Sequence, residues 1–214
     1  MIKALIFDCD GTLVDSEYLA NVALEQELLK YGIELSAQVL LKRFCGGQFS
    51  QVLEVLAQEH QVTFAENFAD LFRENLALLL AKQLTTFEGV SEALEAIALP
   101  KSVASNSPFN QLKLSLQVTD IARFFDQHIY SAYHINSWKP EPTLFLHAAQ
   151  QMGYQPEECL VIEDSPVGVA AAKAAAMPVV LFDSQNKHPG LEVDYRISHM
   201  NGLVDLVASL ANKT

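Results

Sequence analysis

The chain has 214 residues, of which half are hydrophobic and 19% are charged, and this balance is typical of a globular protein with a well-buried core. Its formal net charge is -12 with only 14 Lys and Arg residues, so we expect neither nucleic acid nor a membrane surface as a partner. The three cysteines form no CxxC pair, and no apolar stretch approaches the ~18 residues of a membrane span. The cytoplasm is the expected location, and nothing in the sequence demands more than a monomer.

Short apolar segments alternate with helical patterns along most of the chain, which predicts a parallel sheet with helices on both faces. The predicted strands are Ile2–Phe7, Ser102–Ser105, Cys159–Ile162 and Val179–Phe182. The helical patterns between them are Val90–Ala98, Phe109–Gln117, Pro142–Met152 and Val167–Ala175. The expected fold class is therefore α/β with a doubly wound sheet.

One region interrupts this alternation. From residue 15 to residue 84 the sequence shows amphipathic helical periodicity and no convincing strand. The expected organisation is a core domain of residues 1–14 and 85–214, with an all-α domain of residues 15–84 inserted after the first strand.

The strongest chemical signal is the run Asp8-Cys9-Asp10-Gly11-Thr12, which directly follows the first strand. Two carboxylates at this spacing can converge on one point once the strand gives way to a turn. One acid can attack phosphorus and help to hold a cation, while the other exchanges protons. Gly11 lets the backbone approach a ligand closely. Taken alone, the run is also compatible with a plain Asp-Gly turn before a helix.

Three further polar positions follow later strands or begin later helices: Ser105, the pair Lys139-Pro140, and the pair Glu163-Asp164. A serine before a helix can bind a phosphoryl oxygen, a fixed lysine can neutralise charge, and paired carboxylates can hold a cation. Each has an ordinary structural explanation as a helix N-cap or a solvated side chain. Their conjunction at the carboxyl ends of parallel strands favours a ligand site.

In this order and spacing, the motifs resemble those of the haloacid dehalogenase (HAD) superfamily of hydrolases, in the branch with a helical cap after the first strand. Within that branch the chain is similar to the β-phosphoglucomutase/phosphatase group, including bacterial 6-phosphogluconate phosphatases. The resemblance implies a Rossmann-like core and Mg²⁺-dependent hydrolysis of a small phosphorylated metabolite, such as a sugar or sugar-acid phosphate, through an aspartyl-phosphate.

The resemblance also implies roles for individual residues. Asp8 would be the nucleophile, and Asp10 would protonate the leaving oxygen and then activate water. Ser105 and Lys139 would hold the transferring phosphoryl group, and Asn106 would add a donor to it. The implied Mg²⁺ ligands are Asp8, the main-chain carbonyl of Asp10, Asp164, and Glu163 directly or through water.

Substrate selection in this group depends on residues of the helical cap. The candidates here are Lys42, Arg43, Gly46, Gly47 and Gln48. Lys42 and Arg43 are equally compatible with a solvated helix face, and the two glycines with a simple turn between helices.

Two alternatives stay open. A β-phosphoglucomutase-like phosphomutase is disfavoured because Phe49 stands near the position where such mutases carry a basic residue, although Lys42 or Arg43 could compensate. A catalytically inactive protein that binds a phosphorylated ligand for regulation is the alternative of another class, because a fold does not fix a function. The presence of both a candidate nucleophile and a candidate acid speaks against this second alternative, because a protein that only binds a ligand needs neither.

Overall fold

The computed structural model describes residues 1–44 and 49–211. Contacts between residues divide the chain into two compact units. One unit, the core unit, comprises Met1–Asp15 together with the chain from Thr85 onward. The other unit, the helical insert, comprises Ser16–Leu84.

The helical insert contains helices and no strand along its described residues. Its helices are α1 Glu17–Leu29, α2 Ala37–Phe44, α3 Phe49–His60 and α4 Phe68–Gln83. Helix α1 packs against α2 and α4, and the buried side chains of α4 recur at a spacing of four residues, at Phe68, Phe72, Leu76 and Leu80. This spacing places them on one face of the helix.

The core unit contains a six-stranded sheet in which every neighbouring pair is parallel. Its strands are β1 Ala4–Phe7, β2 Lys101–Ser105, β3 Ile129–Ser131, β4 Cys159–Glu163, β5 Val179–Phe182 and β6 Tyr195–Ile197. The spatial order is β3-β2-β1-β4-β5-β6, so the direction of winding reverses between β1 and β4. Open α/β sheets bind ligands at such a reversal, outside the carboxyl ends of the strands. The predicted doubly wound α/β fold is confirmed.

Helices cover the sheet on both faces. The core-unit helices are α5 Val90–Ala96, α6 Phe109–Val118, α7 Ala132–Ile135, α8 Thr143–Met152, α9 Pro166–Ala174 and α10 Asn201–Ala211, with short 3-10 helices at Ala122–Phe124 and Pro156–Glu158. Successive strand residues point to opposite faces. Ala4 and Ile6 of β1 therefore join the cluster that contains the buried side chains of α8 and α9, while Phe7 meets the ring of Phe125 on the other face.

Two strands were not predicted. Strands β3 and β6 have three residues each, and most of their residues are only half-buried or exposed. A short strand with partial burial carries neither the continuous apolar run of a buried strand nor a readable alternation. Along the ranges 1–44 and 49–211, no helix combines the length and apolar character needed to cross a membrane.

Candidate active site

The predicted core-unit site residues meet at the carboxyl edge of the sheet. Asp8 follows β1, Ser105 ends β2 and Glu163 ends β4, while Lys139 lies in the loop between α7 and α8. Strands β1 and β4 are adjacent, with Phe7 in register with Ile162, so Asp8 and Glu163 leave the sheet side by side. The topology of the sheet therefore brings together residues that are up to 155 positions apart.

A buried lysine bridges two of these carboxylates. Lys139 Nζ donates to Asp8 Oδ1 at 2.5 Å and to Glu163 Oε1 at 2.6 Å. The three side chains are buried, and the Lys139 ammonium lies 4.8 Å from the centre of the Phe145 ring. Charges removed from water in this way must be paired. Lys139 is thus the counter-ion of both acids, whereas a lysine in such a sequence, taken alone, is more often a solvated surface residue.

Burial and neighbouring charges shift the protonation of this group. The pKa of Asp8 is raised from 3.8 to about 7, chiefly by burial; the Lys139 ammonium opposes this rise, and the Glu163 carboxylate adds to it. Burial by itself lowers the pKa of Lys139, but the two carboxylates outweigh this effect and hold its pKa above the ordinary value. The cluster therefore has one more negative charge than it can neutralise when both acids are ionised, and a cation beside Asp8 would supply the missing charge.

The raised pKa of Asp8 leads to a stability prediction. Because the pKa of the Asp8 carboxyl is higher in the folded chain than in the unfolded chain, protonation of Asp8 stabilises the fold. This stabilisation is fully present below the pKa of Asp8 in the unfolded chain and is lost as the pH rises through about 7. Asparagine cannot ionise, so metal-free Asp8→Asn protein should have a higher Tm than metal-free wild type above about pH 7, with a difference that shrinks toward about pH 5. Thermal unfolding in chelator across this range is the measurement. A constant difference between the two proteins at all pH values would show that Asp8 does not ionise near neutrality.

Glu163 is held by the start of the following helix. Its Oε2 accepts from the main-chain N–H of Asp164 and of Ser165, both at 3.0 Å, and from Ser165 Oγ at 2.9 Å. Ser165 Oγ in turn accepts from Gly168 N at 3.1 Å and so caps α9. A Cβ on Gly168 would lie 1.8 Å from the Glu163 carboxyl carbon. Glycine is therefore required here so that the Glu163 carboxylate can lie against the helix.

Three carboxylates form a group with the donors that a hard cation prefers. Asp8, Glu163 and Asp164 each offer one oxygen, and these atoms lie within 4.8 Å of one another. Asp164 is positioned by the Asp10–Thr12 turn: Thr12 Oγ1 donates to its Oδ1 at 3.1 Å, and a Cβ on Gly11 would lie 2.3 Å from its Oδ2. The donor set fits Mg²⁺, which binds carboxylate oxygens and keeps several waters. Gly11 serves here to admit Asp164, and its predicted contact with the substrate stays a prediction.

The second acid of the motif is held from the loop that follows β2. Ser107 Oγ donates to Asp10 Oδ2 at 2.6 Å. The turn that carries Asp10 is closed by main-chain bonds, because Leu13 N and Val14 N both donate to the Cys9 carbonyl, at 2.8 and 3.1 Å. Asp10 thus lies at the same edge of the sheet as Asp8, and Ser107 holds one of its carboxylate oxygens.

Ser105 and Asn106 shape the loop that follows β2. Ser105 is buried, and its hydroxyl accepts from Ser107 N at 3.1 Å. Asn106 Oδ1 accepts from Lys139 N at 2.9 Å, and Asn106 Nδ2 donates to the Lys139 carbonyl at 3.4 Å. The Asn106 amide therefore holds the loop that presents Lys139, and its predicted role as a phosphate donor stays a prediction.

The remaining predicted substrate residues belong to the helical insert. Lys42 and Arg43 are exposed on α2, where Arg43 forms an ion pair with Glu59 and lies 4.7 Å from the Phe44 ring centre. Gly46, Gly47 and Gln48 lie outside the described residues. The selection of substrate by these five residues stays a prediction.

Sequence reasoning assigned no role to Thr12, Ser107 or Gly168. Thr12 belongs to the Asp8–Thr12 motif, and Ser107 stands two residues after Ser105, so both lay within segments already singled out. Their hydroxyl groups position the acids Asp164 and Asp10. No sequence pattern indicates the role of Gly168, because the need for glycine at this position follows from the place of the Glu163 carboxylate in the folded chain.

The chain is similar to known proteins along most of its length. Residues 5–182 match the haloacid dehalogenase-like hydrolase family. The chain is 35% identical to the 6-phosphogluconate phosphatase of Escherichia coli (strain K12) over 211 residues, which cover 96% of this chain and 94% of the relative.

Two solved structures are similar over nearly their whole length. A haloacid dehalogenase-like protein of Agrobacterium tumefaciens is 30% identical with a TM-score of 0.85, covering 99% of this chain and 100% of that one. A HAD family hydrolase of Deinococcus radiodurans, with bound phosphate and sodium, is 30% identical with a TM-score of 0.80, covering 98% and 96%. The resemblance read from the motifs is confirmed, and the chain belongs to the haloacid dehalogenase-like hydrolase family.

Proposed function

We propose that the protein is a Mg²⁺-dependent phosphatase that hydrolyses small phosphorylated metabolites, of the sugar or sugar-acid class, through an aspartyl-phosphate on Asp8. As an enzyme it is a phosphoric monoester hydrolase, like the phosphatases to which it is similar. The observation that carries the proposal is the buried bridge of Lys139 to Asp8 and Glu163, with Asp10 held beside it by Ser107.

The first half of the reaction would form a bond from Asp8 to phosphorus. One Asp8 carboxylate oxygen attacks the phosphoryl group while the bond from phosphorus to the ester oxygen breaks. Asp10 gives a proton to the departing oxygen, which leaves as an alcohol. Lys139 restrains Asp8 and neutralises negative charge, and the Ser105 hydroxyl would bind a phosphoryl oxygen.

The second half would regenerate the enzyme. Asp10, now ionised, takes a proton from a water molecule, which attacks the phosphorus of the aspartyl-phosphate and releases inorganic phosphate and free Asp8. Asp8, Asp164, the Asp10 carbonyl and Glu163 are the groups that would hold Mg²⁺. The ion, when bound, neutralises charge on the phosphoryl oxygens. The Glu163 oxygens already accept four hydrogen bonds from described groups. This favours Glu163 as a ligand that would reach the ion through water.

The sugar-acid class is proposed from the relative with 35% identity, which is named for 6-phosphogluconate. The mutase alternative has less support, because Phe49 stacks on Phe72 at 4.4 Å between ring centres within the helical insert. A packed aromatic ring at this position supplies no positive charge for a second phosphate. Accumulation of inorganic phosphate distinguishes a phosphatase from a mutase.

The test is phosphate release from a panel of phosphorylated metabolites that includes 6-phosphogluconate, with and without Mg²⁺. We expect release by wild type only with Mg²⁺, and no release above background by Asp8→Asn. Asp70→Asn makes the same chemical change at an exposed carboxylate of α4 and should retain full activity. Release of phosphate by Asp8→Asn at the wild-type rate would refute the aspartyl-phosphate route. Failure of wild type on every substrate would favour the mutase or the inactive binding protein.

A further inference from the structure

Ser107 occupies a restrained position between β2 and α6. Its main-chain N–H donates to Ser105 Oγ at 3.1 Å, and its carbonyl accepts from Ser131 Oγ at 2.6 Å. Ser131 is fully buried and also caps α7 by accepting from Tyr133 N. The main chain of Ser107 is therefore held from two sides, by the ends of β2 and β3.

The side chain of Ser107 reaches across to a different strand end. Its hydroxyl donates to Asp10 Oδ2 at 2.6 Å, and the two residues are 97 positions apart in the sequence. A length of 2.6 Å is within the normal range of an O–H···O hydrogen bond. The Ser107 hydroxyl therefore acts neither as a helix cap nor as a turn-closing group, because the bond that it donates goes to Asp10 and not to its own loop.

We propose that Ser107 is a positioning residue for proton transfer by Asp10, an inference that rests on the phosphatase function proposed above. The hydroxyl fixes the rotation of the Asp10 carboxylate, and the main-chain bonds to Ser105 and Ser131 fix the hydroxyl. General acid–base catalysis requires the acid within hydrogen-bond reach of the oxygen that it protonates. Loss of the Ser107 bond would let the carboxylate spend part of its time away from that position.

The proposal predicts that the need for Ser107 depends on the leaving group. A sugar alkoxide is a poor leaving group and requires the proton that Asp10 delivers, whereas dinitrophenolate leaves without one. Ser107→Ala should lower kcat/KM for an alkyl phosphate from the panel by about 30-fold, a part of the roughly 10²–10⁴-fold that general acid–base catalysis contributes, and by less than about 3-fold for dinitrophenyl phosphate. The ratio kcat/KM is used because it reports only the steps up to release of the alcohol.

Three further variants complete the experiment. Asp10→Asn should show the same dependence on leaving group with a larger loss, and Ser107→Thr, which keeps a hydroxyl, should recover most of the alkyl phosphate activity. Ser115→Ala removes a buried serine hydroxyl that has no partner among the described groups, and it should leave both activities unchanged.

The outcomes separate this inference from the proposed function. An equal loss on both substrates in Ser107→Ala, or no loss on either, overturns the positioning role while the phosphatase function stands. If wild type hydrolyses neither substrate with Mg²⁺, the proposed function fails and the role of Ser107 in it fails with it.

Discussion

Replacement of Lys139 by methionine is expected to abolish turnover and to lower the free energy of unfolding by about 3–5 kcal/mol near pH 8. The substitution keeps an unbranched side chain above Phe145 but leaves the carboxylates of Asp8 and Glu163 buried without their ammonium partner. An uncompensated buried charge costs much more than the net gain from the original pair. Turnover is lost because Asp8 is no longer restrained and the charge on the phosphoryl group is no longer neutralised.

The pH dependence of this variant has a defined sign. The Lys139 ammonium opposes the rise in the pKa of Asp8, so its removal places that pKa further above the unfolded value, and the folded variant binds more protons than the unfolded one. Its stability should therefore increase as the pH falls from about 8 to about 5, and the gap to wild type should narrow. Urea unfolding at several pH values measures this directly.

A second substitution tests the cause of the instability. Glu163→Gln in the Lys139→Met background removes one of the two buried charges while its amide oxygen can still accept from Asp164 N and Ser165 N. The double variant should regain most of the lost stability and none of the activity. Lys101→Met removes a half-buried lysine elsewhere in the core unit and should cost less than about 1 kcal/mol, as most substitutions outside such networks do. If Lys139→Met were as stable as wild type near pH 8, the three charges would not be coupled as described.

The fold could be predicted wherever the local pattern was strong. Strands β1, β2, β4 and β5 are almost continuously buried, so their sequences read as apolar runs that end at a polar residue. Strand β6 ends the sheet and exposes Arg196, whose guanidinium pairs with Asp183. Such a strand is selected by its pairing with β5, which is a contact between distant segments and leaves no periodic trace in the sequence.

The site residues likewise fall into those that a local sequence pattern indicates and those that only contacts between distant segments reveal. Asp8, Asp10, Glu163 and Asp164 could be placed together because they directly follow predicted parallel strands, whose carboxyl ends share one edge of a sheet. Lys139 follows no predicted strand, and its position depends on the loop between α7 and α8. The roles of Ser107 and Thr12 depend on hydroxyl groups that reach one particular carboxylate, which only the geometry of the side chains reveals. The preference of Asn106 for the main chain of Lys139 is likewise a consequence of how two loops meet.

Gly168→Ala is expected to destabilise the protein by about 2–3 kcal/mol and to lower kcat by at least about 100-fold, although alanine is the better helix former. Gly168 lies in the first turn of α9, and the new methyl group would overlap the carboxylate of Glu163. That carboxylate would have to leave the donors of Asp164, Ser165 and Lys139. Lys139 would then lose its hydrogen bond to Glu163 and keep only the one to Asp8. The position of Asp8 would be less well defined, so a substitution that does not contact the substrate should lower activity.

Gly202→Ala is the matched control. Gly202 lies in the first turn of α10, and its added Cβ would approach no closer than 3.5 Å to Ile197. Helix propensity alone should then raise the stability of this variant by about 0.5–1 kcal/mol, with unchanged activity. Urea unfolding and phosphate release are measured on both variants under the same conditions.

The overlap with Glu163 is tested by changing the background. In Glu163→Ala protein the Asp8–Lys139 pair remains and the carboxylate that meets Gly168 is gone, so Gly168→Ala should become stabilising by about the amount seen at Gly202. The sign of its effect on the free energy of unfolding should therefore reverse between the two backgrounds. A loss of the same size in both would mean that the helix backbone resists alanine for a reason unrelated to Glu163, and a gain in both would mean that the carboxylate moves aside without cost. Reversal would show that the Glu163 carboxylate lies against the start of α9 in the space that Gly168 leaves for it.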